Sequence, residues 1–167
     1  FKKKKILYFI STLISVIYIL FFSLLVWFNL IPLTNAKIIP FIFLLIICIS
    51  TDVGGLIIGK LFGGKKLTKI SPKKTYSGSI GSFLFSIFFG YFFYLLFNDY
   101  LNSNINFILI IVLISLISQI GDLIISFLKR KAKMKDTGSI LPGHGGILDR
   151  IDGILLAIPF GIILISI

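Results

Sequence analysis

Glutamate is absent from this 167-residue chain, and its six acids are all aspartates. Against them stand 17 lysines and arginines, a formal charge of +11. Histidine and cysteine each occur once, as His144 and Cys48. One cysteine excludes an intrachain disulfide framework, and one of each excludes a Cys/His metal cluster. Cys48 lies in an apolar run, where a small packing residue is expected. Also missing is the polar surface of a soluble domain: 57% of the residues are apolar and the mean hydropathy is +1.07. A chain so composed belongs in a bilayer. It begins at Phe1 and ends inside an apolar run, so a piece of a longer protein is expected.

Five apolar stretches are long enough, or nearly so, to cross a hydrocarbon core of about 30 Å at about 1.5 Å per residue: 6–28, 38–62, 79–97, 105–128 and 152–167. The last is cut short. The expected fold is therefore all-α, a single polytopic membrane domain over 1–167. Residues 1–49 supply N-terminal helices, 50–153 a catalytic region and 154–167 the last helix. Lys2–Lys5 before an apolar run imitate a signal peptide, but the run is too long and lacks a small-residue cleavage site. The cations alternate sharply between connections. With the N-terminus inside, 16 lie on the cytoplasmic side and only Lys37 outside. That orientation places the segments 60–78 and 129–150 on the cytoplasmic face, as expected of a bacterial-type inner membrane protein. A basic chain of this kind suits anionic headgroups or a polyphosphate. Nucleic acid is not expected, since the basic segments are short loops between spans.

The scarce acids are not scattered. Asp122, Asp136, Asp149 and Asp152 lie in or beside one segment, and Asp52 lies inside an apolar run. Asp149 and Asp152 are three apart, on one face of a helix. Helix rise puts Asp122 about 9 Å, and Asp52 about 15 Å, from the cytoplasmic ends of their spans. Carboxylates at such depth are costly unless paired, protonated or bound to a cation. Helix–helix bonding remains open for Asp52 and Asp122. A group of carboxylates near one face favours a divalent ion, and oxygen ligands suit Mg²⁺. Ser126, Lys129 and Arg130 follow helical spacing, and Pro142-Gly143-His144-Gly145-Gly146 turns the chain back toward Asp149 and Arg150. Glycines there let backbone N–H groups approach a phosphate. His144 serves either as a phosphate donor or as a strut for the loop. In the other basic loop, Ser71-Pro72-Lys73-Lys74-Thr75 gathers hydroxyls and ammoniums ahead of a helix expected near Ser77 or Ser79, an anion-binding arrangement. The run Gly54 to Lys60 imitates a P-loop, but Leu61 follows and the segment lies in a membrane helix. Its Gly55, Gly59 and Gly63 form a small-residue stripe for a subunit contact or for packing within the chain.

Three motifs together resemble the phosphatidate cytidylyltransferases (CDP-diacylglycerol synthases). They are Ser126-x-x-Lys129-Arg130 through Lys135-Asp136 and Leu141-Pro142-Gly143-His144-Gly145-Gly146 to Asp149-Arg150-x-Asp152; Gln119-x-Gly121-Asp122; and Asp52 followed by Gly59-Lys60-Leu61-Phe62-Gly63 and Ser71 to Gly78. Val53-Gly54-Gly55, and Tyr76 in place of a frequent Trp, depart from the pattern. The resemblance implies transfer of the cytidylyl group of CTP to phosphatidic acid, with CDP-diacylglycerol and pyrophosphate as products. It implies Asp122 and Asp149 as ligands of Mg²⁺, Asp152 as a nearby third carboxylate, K⁺ as a second cation, and a homodimer. Lys129 and Arg130 with Ser71, Lys73, Lys74, Thr75, Ser126, His144, Gly145, Gly146 and Arg150 are the expected phosphate-binding and catalytic set. The alternatives are a CTP-dependent lipid kinase of the dolichol-kinase type and a non-enzymatic membrane transporter.

Overall fold

A computed structural model describes the backbone of residues 2–68, 71, 74–101, 106–132 and 148–166. Within these it describes the side chains of 13, 16–68, 71, 74–101, 106–132 and 151–165. Five α-helices follow in order: α1 Lys2–Leu30, α2 Asn35–Phe62, α3 Tyr76–Phe97, α4 Phe107–Lys131 and α5 Leu148–Ser166. Among the described residues, three helices have the length and apolarity to cross a membrane: α2, α3 with its 3₁₀ extension to Tyr100, and α4. Shorter apolar stretches, Val16–Leu30 and Ile151–Ile165, lie in α1 and α5. The protein is an all-α polytopic membrane protein, as its composition requires.

The helices overrun the apolar stretches. α3 begins at Tyr76 instead of Ser77 or Ser79, α4 runs on to Lys131, and α5 begins at Leu148, four residues before Asp152. Hydropathy marks what sits in hydrocarbon, whereas a helix continues for as long as its hydrogen-bond ladder holds. The overrun matters for function. It puts Lys129 and Arg130 on the last turn of α4, and Asp149 and Asp152 on the first turns of α5.

Two kinds of packing hold α2 to α5. At one end lies an apolar core of Phe43, Leu44, Ile47 and Cys48 from α2 with Ile110, Ile111 and Ile114 from α4 and Ala157 from α5. Phe43 meets the rings of Phe93 and Phe107, each at 6.1 Å between centroids. Toward the other end, α2 and α3 touch through small residues. A Cβ added to Gly54 would lie 2.5 Å from the Gly81 carbonyl oxygen and 2.6 Å from Phe85 Cβ. Gly55 faces Ser82 and Gly78, and Gly59 faces Thr75 and Gly78. The stripe is thus used within the chain at Gly55 and Gly59. Gly63 ends α2 at φ +56° with no atom within 4 Å of an added Cβ, so there backbone conformation is what calls for glycine. Large apolar side chains such as Ile49, Leu56, Phe88, Leu95 and Leu109 are exposed, which is the surface a bilayer covers.

Helix α1 is tied more lightly. Tyr18 donates its hydroxyl hydrogen to the Leu155 carbonyl of α5, and Lys37 reaches back to the Ile31 carbonyl across the turn into α2.

Candidate active site

The end of α2, the start of α3, the end of α4 and the start of α5 meet at one end of the bundle, and the polar residues gather there. The connection from α2 to α3 folds back on itself. Leu67 N–H donates to the Lys74 carbonyl at 2.8 Å, Tyr76 N–H donates to the Lys65 carbonyl at 3.1 Å, and Lys66 and Thr75 form an isolated antiparallel bridge. Ser77 donates its hydroxyl to the Gly63 carbonyl. Thr75 is the N-cap of α3: its Oγ1 accepts from Gly78 N–H at 3.1 Å and lies 3.0 Å from Ser77 Oγ. Capping by Thr satisfies one of the free N–H groups of the first turn and fixes the chain direction immediately after Lys74.

That direction aims Lys74 at α4, where its ammonium forms an ion pair with Asp122 Oδ2. Both side chains are about one-quarter exposed, so the pair is half-buried at this end of the bundle. A second pair joins α4 to α5: Lys129 Nζ lies 3.3 Å from Asp152 Oδ2, with side-chain exposures of 14% and 10%. Asp152 Oδ1 also accepts from its neighbour's amide, Gly153 N–H, at 3.2 Å. Asp52 of α2 lies within electrostatic reach of Asp122, Asp152 and Lys74. Three aspartates and two lysines from four different segments therefore share one field, with Asp152 and Lys129 largely buried, Lys74 and Asp122 half-buried and Asp52 exposed. Each charge in such a place needs its neighbours.

Below this layer the polar contacts continue inward. Ser79, one turn into α3, donates to Gln119 Oε1 on α4 at 2.6 Å. Ser82 donates to the Thr51 carbonyl at 2.7 Å, and Thr51 Oγ1 lies 2.9 Å from Ser115 Oγ.

Of the residues expected from the sequence, the structure brings together Asp122, Asp152, Lys129 and Lys74. Ser71 shapes the loop: its carbonyl accepts from Lys74 N–H at 3.1 Å, and its own N–H donates to Thr68 Oγ1 at 3.2 Å. Ser126 is half-buried and Arg130 exposed on the last turns of α4. Lys73, His144, Gly145 and Gly146 lie outside the described residues. Asp149 and Arg150 belong to the described backbone of α5, with their side chains outside the description. Sequence reasoning assigned no role to Gln119 or to Ser79. The signal for Gln119 was its place three residues before Asp122, which puts both on one face of α4.

Carboxylate oxygens are the donors a hard divalent cation takes, usually one or two of them completed by phosphate. Asp122 engages Lys74 through Oδ2, and both Asp152 oxygens accept hydrogen bonds. Among the described residues no three Asp, His or Cys side chains form a closed ligand cluster. A site of one or two protein carboxylates fits this donor set.

Residues 2–167 match the cytidylyltransferase family. The chain belongs to this family. Over 146 residues it is 42% identical to the phosphatidate cytidylyltransferase of Rickettsia bellii, covering 82% of this chain and 61% of that protein. The phosphatidate cytidylyltransferase of Bacillus subtilis is 43% identical over 112 residues, 66% of this chain and 41% of that protein. That of Helicobacter pylori is 40% identical over 127 residues, 70% of this chain and 43% of that protein. The chain thus matches roughly 40 to 60% of the length of these curated relatives. Membership gives context to the convergence of Lys74, Asp122, Lys129 and Asp152, all of which lie within the matched residues.

Proposed function

We propose that this protein transfers the cytidylyl group of CTP to phosphatidic acid and releases pyrophosphate, making CDP-diacylglycerol for phospholipid synthesis. The observation that carries the reading is the meeting of two lysine–aspartate pairs from the α2–α3 connection, α4 and α5 at one end of a membrane bundle. Relatives of the same family bearing the name phosphatidate cytidylyltransferase supply the reaction.

In this reading the lipid enters sideways from the inner leaflet and CTP from the cytoplasm. A phosphate oxygen of phosphatidate attacks the α-phosphorus of CTP in line, the bond to the β-phosphate oxygen breaks, and pyrophosphate leaves with the electron pair. The nucleophile is already an anion, so no strong general base is required. Positioning and neutralisation of charge supply the catalysis. Lys74, Lys129 and Arg130 hold phosphate oxygens as charge-assisted donors. Ser71 and Thr75 fix the loop that presents Lys74. Asp122 with Asp149 would hold Mg²⁺, and Mg²⁺ supplies positive charge to phosphate oxygens when bound. K⁺ as a second cation, a homodimer, and an inner-membrane site facing the cytoplasm belong to the same proposal.

The test is transfer of label from α-³²P CTP in detergent with phosphatidic acid and Mg²⁺. Label passing into the lipid with release of pyrophosphate is the expected result. Chelation of divalent ions, or Asp122→Asn in folded protein, should abolish it. CDP as the product would point to the kinase chemistry, and wild-type turnover by Asp122→Asn would remove Asp122 from the mechanism.

A further inference from the structure

Gln119 is held at one end and empty-handed at the other. Its Oε1 accepts the Ser79 hydroxyl at 2.6 Å, while its Nε2 is buried and has no hydrogen-bond partner. A buried amide nitrogen without an acceptor costs about 1–3 kcal/mol, so a residue that keeps one invites a functional reason. The Ser79 N–H bonds to the Thr75 carbonyl, so the residue that aims Gln119 is part of the turn that presents Lys74. Two cross-links therefore join the start of α3 to α4, Lys74 to Asp122 and Ser79 to Gln119, and on α4 their partners are one helical turn apart. Gln119 thus forms the inner rung beneath the charged layer.

An amide nitrogen donates only. One helical turn from the Lys74–Asp122 pair, the group it suits is an anionic oxygen brought by the substrate. We propose that Gln119 Nε2 donates to a phosphoryl oxygen of a bound substrate, with Ser79 as the residue that holds the amide in register. The inference rests on the reaction proposed above. Nucleotide and phosphatidate both carry such oxygens, and separate kinetic arms tell them apart.

Gln119→Glu keeps an oxygen for Ser79 but replaces the donor with an acceptor. Gln119→Met removes the amide without adding charge. Both should lower kcat/KM by about 10- to 100-fold, the range for losing one hydrogen bond to a charged group. If KM for CTP rises and that for phosphatidate does not, the nucleotide is the acceptor. The reverse assigns the lipid phosphate. Ser79→Ala should produce a smaller loss, about threefold to tenfold, and Ser79→Thr should restore most of it. Wild-type kcat and both wild-type KM values in Gln119→Glu and Gln119→Met would overturn the proposal and leave Gln119 as helix–helix glue. If the wild-type chain itself transfers no label, the reaction is the part that fails. Binding of labelled CTP and of short-chain phosphatidate, each compared between wild type and Gln119→Met, then decides for Gln119 alone: a loss of about tenfold for either supports the contact, and none for both refutes it.

Discussion

Replacing Gly54 by alanine tests whether the α2–α3 seam sets the active-site geometry. The added methyl would lie 2.5 Å from the Gly81 carbonyl oxygen, 2.6 Å from Phe85 Cβ and 2.8 Å from Phe85 Cγ. The nearest atom is backbone and cannot rotate away. To reach ordinary contact near 3.4 Å the two helices must part by roughly 0.9 Å at that level. Overpacking of this kind costs about 1–3 kcal/mol. At this chain length that corresponds to a loss of roughly 2–12 °C in Tm. The strain does not stay local, because Thr75 caps α3 and Lys74 immediately precedes it. A displacement near 1 Å at a positioning element can cost up to about 100-fold in rate. Gly59→Ala is the internal control. Its methyl would meet the Thr75 hydroxyl at 3.2 Å and Gly78 Cα at 3.4 Å, contacts that small adjustments relieve. Thermal unfolding in detergent, monitored by circular dichroism and paired with the label-transfer assay, should rank Gly54→Ala well below Gly59→Ala. Equal Tm values for the two, or a Gly54→Ala protein as stable and active as wild type, would refute the claim that the seam is a rigid spacer.

Two further substitutions probe the pieces around it. Asp152→Asn removes one carboxylate from the largely buried Lys129 ammonium, which keeps another interaction, so the expected loss falls below the about 3–5 kcal/mol of an unpaired buried charge. Denaturant or thermal unfolding checks it, and Lys129→Met combined with Asp152→Asn should recover part of the loss. Thr75→Val removes the N-cap acceptor of α3 and should cost about 1 kcal/mol, with Thr75→Ser close to wild type in both stability and label transfer.

Much of this molecule can be read along the chain. The spans, the basic connections and the placing of Asp149 and Asp152 on one helix face follow from composition and spacing, because those are local rules. The helix ends were less legible: α5 opens at Leu148 because hydrogen bonding, unlike hydropathy, continues into the polar flank. Partner choice was not legible at all. Nothing in the sequence selects Lys74 for Asp122 or Lys129 for Asp152 from 17 cations. That selection comes from how tightly Gly54, Gly55 and Gly59 let α3 approach α2 and how far α4 continues before it turns. The pairing of Ser79 with Gln119 was invisible for the same reason, since a 40-residue separation carries no periodic signal.

Helix α4 contributes one member to each ion pair, Asp122 toward the α3 turn and Lys129 toward α5. It behaves as a common axle between two latches. A rotation of α4 that slackened one would misalign the other, so the latches should open and close together. Substitutions on opposite sides of α4 should then fail to add, and the departure from additivity in a Lys74/Asp152 double-mutant cycle would measure how stiffly that axle transmits torque between the two sides.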